Sequence, residues 1–559
     1  MNLFTADYLV IALYVALLAA VAVLFRNRGT YDTRSYFAAG NKSPWWLLGI
    51  SMVATTFAAD TPLAVTGIVA KDGLAGNWIW WSFMFSGLLT TMVFAPLWKR
   101  SGVLTDVELI GIRYSGTPSK VLRTFRAFYL ALPINCIILG WVTLGMSKIL
   151  TVLTGAPQWQ VIIALYLLTG LYIAFTGIWG VLLTDAVQFG VAMLGSIIFA
   201  WLAVDNAGGF TVLHEKLQAA GHGPELLAFF PETGTPLFTT FLVWVGVMWW
   251  ASWYPGAEPG GGGYIVQRLV SARSERDSVI AALLFNIAHF ALRPWPWILV
   301  ALVSMVYFPE LADKEAGYPA MMKAILPPGL YGLMLVVFVS AFVSTVSTHL
   351  NWGASYLIND VYRFVRKPET HFTSKAEAEA HYVRVGQGAT LLIMALSILI
   401  SYYFDSVKGG WEILLSIGAG IGPVLMLRWF WMRINAWSEL SAMIAAAIGT
   451  FALDAAGISD FGTKMALNTL ISTIVWVAVT FVTRPEPEEV LTKFNTLVHP
   501  ESSPSFWVNK LVLTASAAGA ILFFLVGMRD VFFFSTLTGL SYFAAGGALC
   551  GFVVWRVSK

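Results

Sequence analysis

The stretch SMVATTFAADTPLAVTG, from Ser51 to Gly67, decides the fold. It lies inside an apolar run, Trp45 to Ala70, that is long enough to cross a bilayer at ~20 residues per span. Yet Thr55, Thr56, Asp60, Thr61, Pro62 and Gly67 all fall within it. Unpaired backbone inside a membrane is tolerated only where it lines a cavity or meets a ligand. The reading is therefore a helix broken on purpose, at a binding site. A second stretch, WYPGAEPGGGGYIVQR from Trp253 to Arg268, repeats the pattern. Pro255, Pro259 and four consecutive glycines cannot sustain a regular helix there.

The rest of the chain sets these two breaks in a membrane. Of 559 residues, 58% are hydrophobic and 12% charged, with a mean hydropathy of +0.72. A soluble chain carries about 25% charged residues. The composition predicts an all-α polytopic membrane protein with fifteen spans. They run over 7–25, 45–70, 77–98, 127–152, 158–178, 180–204, 237–266, 279–308, 327–358, 383–404, 410–430, 436–453, 466–483, 511–528 and 532–555. No basic leader precedes the first run, which reads as a retained helix and not a cleaved signal. Cys136 and Cys550 lie in apolar segments and suggest neither a disulfide frame nor a zinc site.

Basic residues orient the stack. With the N-terminus outside, twenty-five fall in inner loops and seven in outer loops, while Lys148 and Arg293 lie within spans. The C-terminus is then inside, and the lipid bilayer of a cell membrane, plasma or inner, is the setting. A net charge of +3 gives no reason to expect nucleic acid as a partner.

Five spans separate the start of one broken helix from the start of the other. The two therefore enter the membrane from opposite sides. Residues 45–204 and 237–432 read as two five-helix halves of inverted topology. Residues 1–44 precede them, an extracellular loop at 205–236 joins them, and 433–559 add further helices. Paired interruptions in matching places point to the central site of a transporter. Freed carbonyls and negative half-helix ends there suit a cation, and the positive ends suit an anionic group.

Six segments, in order, resemble the sodium:solute symporters, a family that includes sodium-coupled sugar, proline and sialic acid carriers. They are ADYLVIALYVALL, SYFAAGNKSPWWLLGISMVATTFAAD, TGIWGVLLTDAVQ, YIVQRLVSARSERDS, SAFVSTVSTHLNWGASYLINDVY and LRWFWMRINAWSELSAM. The resemblance implies the LeuT-type fold of two inverted five-helix repeats and a co-transported sodium ion. Carried over, the family's sodium site falls on the backbone oxygens of Ala54, Phe57 and Ala341 and on the hydroxyls of Ser344 and Thr345. Independently, Ala341, Ser344 and Thr345 stand at i, i+3, i+4 and share one helix face. The plainer alternative is that both hydroxyls only back-bond to the previous turn. Asp185 matches the family's aspartate on the sodium route to the cytoplasm; simple exposure near the interface is its rival.

A small polar solute, a sugar, sugar acid or other carboxylate, is expected beside the sodium. Its candidate contacts are Asp60, Thr61, Trp81, Glu258, Gly262, Tyr264, His289 and Arg293. An intramembrane arginine is a functional candidate by default, and a guanidinium suits a carboxylate. A structural ion pair of Arg293 with Glu258 or Asp60 is the competing reading. Gly262, Gly263 and Thr61 stand where the family's sugar carriers place amide side chains, so close kinship to glucose or galactose carriers is not expected. Trp78, Trp80, Trp81, Trp249, Trp250 and Trp253 could stack on a ring or a sugar face, but most of them are expected to be interfacial belt residues. The seven histidines show no i, i+4 pair, which argues against a membrane enzyme, and no repeated pore loop suggests a channel. A proton-driven carrier of the same fold and a solute sensor remain the alternatives.

Overall fold

The structure is a computed structural model that describes residues 4–25, 44–103, 106–175, 178–251, 260, 262–362, 375–499 and 504–558. Among these residues the chain is helical, with no β-strand. Eleven helices, against fifteen expected spans, are long and apolar enough to cross a membrane. Four shorter apolar helices, Thr5–Tyr14, Trp45–Ala54, Gln158–Thr169 and Pro236–Trp250, fall at the remaining expected positions. Trp45–Ala54 opens the first expected interruption; of the second, 252–259 and 261 lie outside the described residues.

The first interruption separates a half-helix Trp45–Thr55 from a half-helix Thr61–Asp72. The first ends in a tight turn, in which the amides of Thr56 and Phe57 donate to Val53 O and Ala54 O at 3.2 and 3.0 Å. Pro62, at the start of the second half, lacks an N–H that the turn would otherwise leave unpaired. At the second interruption the Pro236–Gly246 helix gives way to a single 3-10 turn, Met248–Trp250, and helix resumes at Gly263–Ser271. Gly260 between them has φ +84°, a left-handed conformation that glycine adopts without strain.

Both halves of the first broken helix pack along one partner. Trp45–Thr55 lies on Glu275–Asn286, and Thr61–Asp72 lies on Pro294–Tyr307. Between those two partner segments the helix widens into a π turn, Ile287–Leu292. Pro294 and Pro296 remove two amide donors just beyond it, and the Arg293 amide reaches back to Ala288 O at 3.1 Å. Thus a break in one helix faces a bulge in its neighbour, and His289 and Arg293 stand at that level.

Buried polar groups stitch the helix ends. Asp7, in the N-terminal helix Thr5–Phe25, accepts from the amides of Gly329 and Gly332 at 2.7 and 2.8 Å, at the start of the Leu330–Tyr356 helix. Gly332 allows this approach, because a Cβ there would lie 2.7 Å from Asp7 Cα. Asp7→Ala is expected to lower stability by about 2 kcal/mol, since two buried donors lose their acceptor. The loss would be read as an earlier thermal transition in detergent. At the opposite end, Arg113 donates to the carbonyls of Arg428 and Ile434 at 2.9 and 3.0 Å, just past the end of the Val407–Leu427 helix. Glu439 is held there by Arg428, Arg126 and Tyr114.

Candidate functional site

The turn at Thr56 to Asp60 is the centre of the site. Thr56 supplies a freed carbonyl at the negative end of the first half-helix, and Arg293 answers it. Arg293 Nη2 donates to Thr56 O at 2.7 Å, and Nη1 donates to Thr56 Oγ1 at 2.8 Å. Nη1 also donates to His289 Nδ1 at 3.1 Å, and Thr61 Oγ1 lies 3.5 Å from Nη2. The guanidinium lies over the rings of Trp297 and Phe57, 5.0 and 5.4 Å from their centroids, which adds cation–π attraction in a dry setting. Arg293 is 1% exposed. It therefore spans the interruption, touching the last residue of the turn's first side and the first residue of the second half-helix.

His289 and Arg293 do share one face, as their spacing implied, and the π turn aims both at the break. Asp60 sits just ahead of Thr61, 3% exposed, and its Oδ1 makes no hydrogen bond within the structure. The Trp411 indole N–H lies within reach of its carboxylate. The Asn135–Thr154 helix comes against it at Gly145, where a Cβ would lie 2.9 Å from Asp60 Cα. Gly145→Ala is expected to push the Asp60 backbone aside, at an overpacking cost of about 1–3 kcal/mol. The check is solute uptake, which should fall while the amount of protein in the membrane holds.

Of the expected aromatic contacts, Trp80 and not Trp81 reaches this place. The Trp80 ring meets His289 edge-on at 5.5 Å. Trp81, one residue on, points elsewhere and stacks on Phe229 of the 205–236 segment at 5.0 Å. With Trp78, Phe230 and Phe241 it forms an aromatic cluster under that segment. Helical geometry turns successive side chains by about 100°, so one position separates a site residue from a packing residue.

The candidate sodium ligands lie on buried backbone. Ala54 and Phe57 bracket Thr56, and the Phe57 ring packs on Phe189 of the Ile178–Asn206 helix at 6.0 Å. Ala341 and Thr345 are buried on the Leu330–Tyr356 helix, and Ser344 is half-buried. Ile178–Asn206 packs against both Trp45–Thr55 and Leu330–Tyr356, and so joins the two elements that carry the candidate ligands. Asp185 belongs to this joining helix, but its side chain lies outside the described residues. Glu258 and the side chain of Tyr264 also lie outside them. Gly262 is buried and extended, immediately ahead of the resumed helix.

What this geometry offers is a helix break lined by buried polar and charged groups. Uncharged oxygens face a resident guanidinium, and the Asp60 Oδ1 accepts no hydrogen bond. Comparison with known proteins bears on its use. A family model described as the sodium:solute symporter family matches residues 36–446. The chain is 25% identical over 506 residues to a sodium/glucose cotransporter of Vibrio parahaemolyticus, covering 85% of this chain and 90% of that one. It is 26% identical over 479 residues to a sodium/myo-inositol cotransporter 2 of Sus scrofa, covering 78% and 68%. The solved substrate-bound outward-open state of a Na+-coupled sialic acid symporter superposes with a TM-score of 0.65 at 20% identity. That match covers 87% of this chain and 99% of the other, and it is a likeness of fold, the LeuT-type fold.

Proposed function

The chain belongs to the sodium:solute symporter family, and from that premise we propose that the break at Thr56 to Asp60 holds the ion and the solute side by side. It is a multi-pass membrane transporter, not an enzyme, and sodium is the ion that it couples to solute movement. The sodium cage is assigned to the carbonyls of Ala54, Phe57 and Ala341 and the hydroxyls of Ser344 and Thr345. The two inverted halves, 45–204 and 237–432, supply the moving parts.

In this reading sodium enters first from the outside and draws the first half-helix against Leu330–Tyr356. That completes the pocket around Asp60, Thr61, His289 and Trp80. Solute binding then favours a rocking of one group of helices against the other, which opens the inner side. Inward movement of one positive charge gains ~2.3 kcal/mol per 100 mV of inside-negative potential. Asp185 lies on the exit route.

The observation that carries the proposal is the engaged state of Arg293 at a turn where the Asp60 Oδ1 accepts no hydrogen bond. Donors of the guanidinium already serve Thr56 and His289. Asp60 is acceptor-only when ionised, so the solute group that meets it carries donors. Among the sugars, sugar acids and other carboxylates considered, this favours a hydroxyl-rich solute, in keeping with the polyol and sugar carriers among the relatives. A thermal-shift screen of the purified protein against sugars, polyols, sugar acids and amino acids, with and without sodium, tests it. Stabilisation by a polyhydroxy compound only in sodium is the expected result. Stabilisation by simple carboxylates alone would reassign the pocket.

A further inference from the structure

Glu315 takes no part in the break or in the proposed sodium cage, yet it is 5% exposed and wholly engaged. It lies in the 3-10 turn Lys314–Ala316, in the loop between the Pro294–Tyr307 and Gly317–Ile325 helices. Its Oε2 accepts from Lys148 Nζ at 2.7 Å and from the Val407 amide at 3.0 Å. Its Oε1 accepts from the Lys408 amide at 3.1 Å. Those amides open the Val407–Leu427 helix, whose positive end favours an anion. Lys148, on Asn135–Thr154, also pairs with Asp313 at 2.9 Å and donates to Asp405 O at 3.2 Å. Lys408 turns its ammonium to Asp72, the last residue of the second half-helix, at 2.8 Å. Gly67 of that half-helix lies against Glu315, where a Cβ would stand 2.8 Å from its Cγ.

One carboxylate and its neighbours thus join four elements at one end of the bundle: the second half-helix, Asn135–Thr154, the loop and Val407–Leu427. Along the half-helix at 1.5 Å per residue, Gly67, which meets Glu315, stands about 10 Å from Asp60, and Asp72 about 18 Å. By the bias of basic residues this end is the outer one. Access from outside requires these elements to separate, and every bond of Glu315 crosses a boundary that must open. We propose that Glu315 is a positioning residue of the transport cycle, the tie that keeps the outer end closed, and that it releases when the carrier faces outward. The proposal rests on the symport reading but not on which residues hold sodium. A merely structural cap would stabilise both facings alike. A tie of this kind stabilises one.

The test uses the full chain in cells, with Cys136 and Cys550 replaced by serine and Met321→Cys as reporter. Met321 is 0% exposed in the Gly317–Ile325 helix beside the tie. A membrane-impermeant thiol reagent is applied from outside. Glu315→Gln loses the charge that strengthens these bonds, and labelling should quicken about tenfold, with half-saturating sodium falling by a similar factor. Glu315→Asp, shorter but charged, should lie between. Labelling and half-saturating sodium both unchanged in Glu315→Gln would overturn the proposal. Should that variant fail to reach the membrane, Lys148→Gln carries the same readout through one bond fewer. A wild-type labelling rate there would overturn it equally. Failure of the symport reading would show separately, as no sodium-driven uptake by the unsubstituted protein.

Discussion

Replacing Ser344 and Thr345 together by alanine is expected to abolish sodium-stimulated uptake while the folded protein persists in the membrane. Sodium is a hard cation that needs several oxygen ligands, and the proposed cage supplies five, all uncharged. The backbone contributes three of them and cannot be removed by substitution. The two hydroxyls are the part of the cage that side chains provide. Contacts of a polar group to a charge are worth about 1.5–3 kcal/mol each, so losing both weakens the site by a factor of roughly 10²–10⁴. Folding should tolerate the change. Alanine is the better helix former, and Ala341, Phe342 and Val346 keep the packing of that stretch of Leu330–Tyr356. The measurement is uptake against sodium concentration in proteoliposomes, with the amount of folded protein checked by its thermal transition. A double variant with unaltered half-saturating sodium would remove the hydroxyls from the cage and leave the breaks without their proposed purpose.

The break between Thr55 and Thr61 could be read in the sequence because its causes are local. Proline, glycine and an acid in a run of apolar residues change the backbone where they stand. The positions of the helices were legible for the same reason, as long apolar runs with short polar joints. The π turn at Ile287–Leu292 was signalled by Pro294 and Pro296 but not foreseen, because a proline pair also fits an ordinary kink. Arg293 stood out as a cation inside a span, yet its partner could not be named. Thr56 is 237 residues away, and only the packing of the half-helix on its neighbour brings them together. Trp80 and Trp81 were inseparable by pattern, since four residues of WIWW give no phase to a helix. Glu315 was invisible for a further reason. In sequence it is an acid in a short outer loop, and its burial depends on helix ends that meet it only in three dimensions.

The change Arg293→Ala should cost more than any other in the site, and it should cost ion and solute together. Thr56 stands between Ala54 and Phe57, so the guanidinium that holds Thr56 O also fixes the two carbonyls proposed for sodium. Asp60 is the buried carboxylate of the same turn. Removing the guanidinium leaves the buried Thr56 oxygens without their donor, and each buried group left unsatisfied costs about 1–3 kcal/mol. Arg293→Ala should therefore melt earlier, lose sodium-driven stabilisation and lose uptake. Arg293→Met with Asp60→Asn removes both charges and keeps most of the volume. It should recover much of the stability, since no buried charge then remains at the turn, while uptake stays absent. The two roles for the guanidinium separate in the sodium titration. If Arg293→Ala raised the solute concentration needed for half-maximal uptake and left that for sodium untouched, the arginine would belong to the solute. Thr56 would then need no clamp to hold its turn. Loss of both, with stability regained in the double variant, places the charge where the geometry has it: at the hinge between ion and solute, serving each through the backbone of the break.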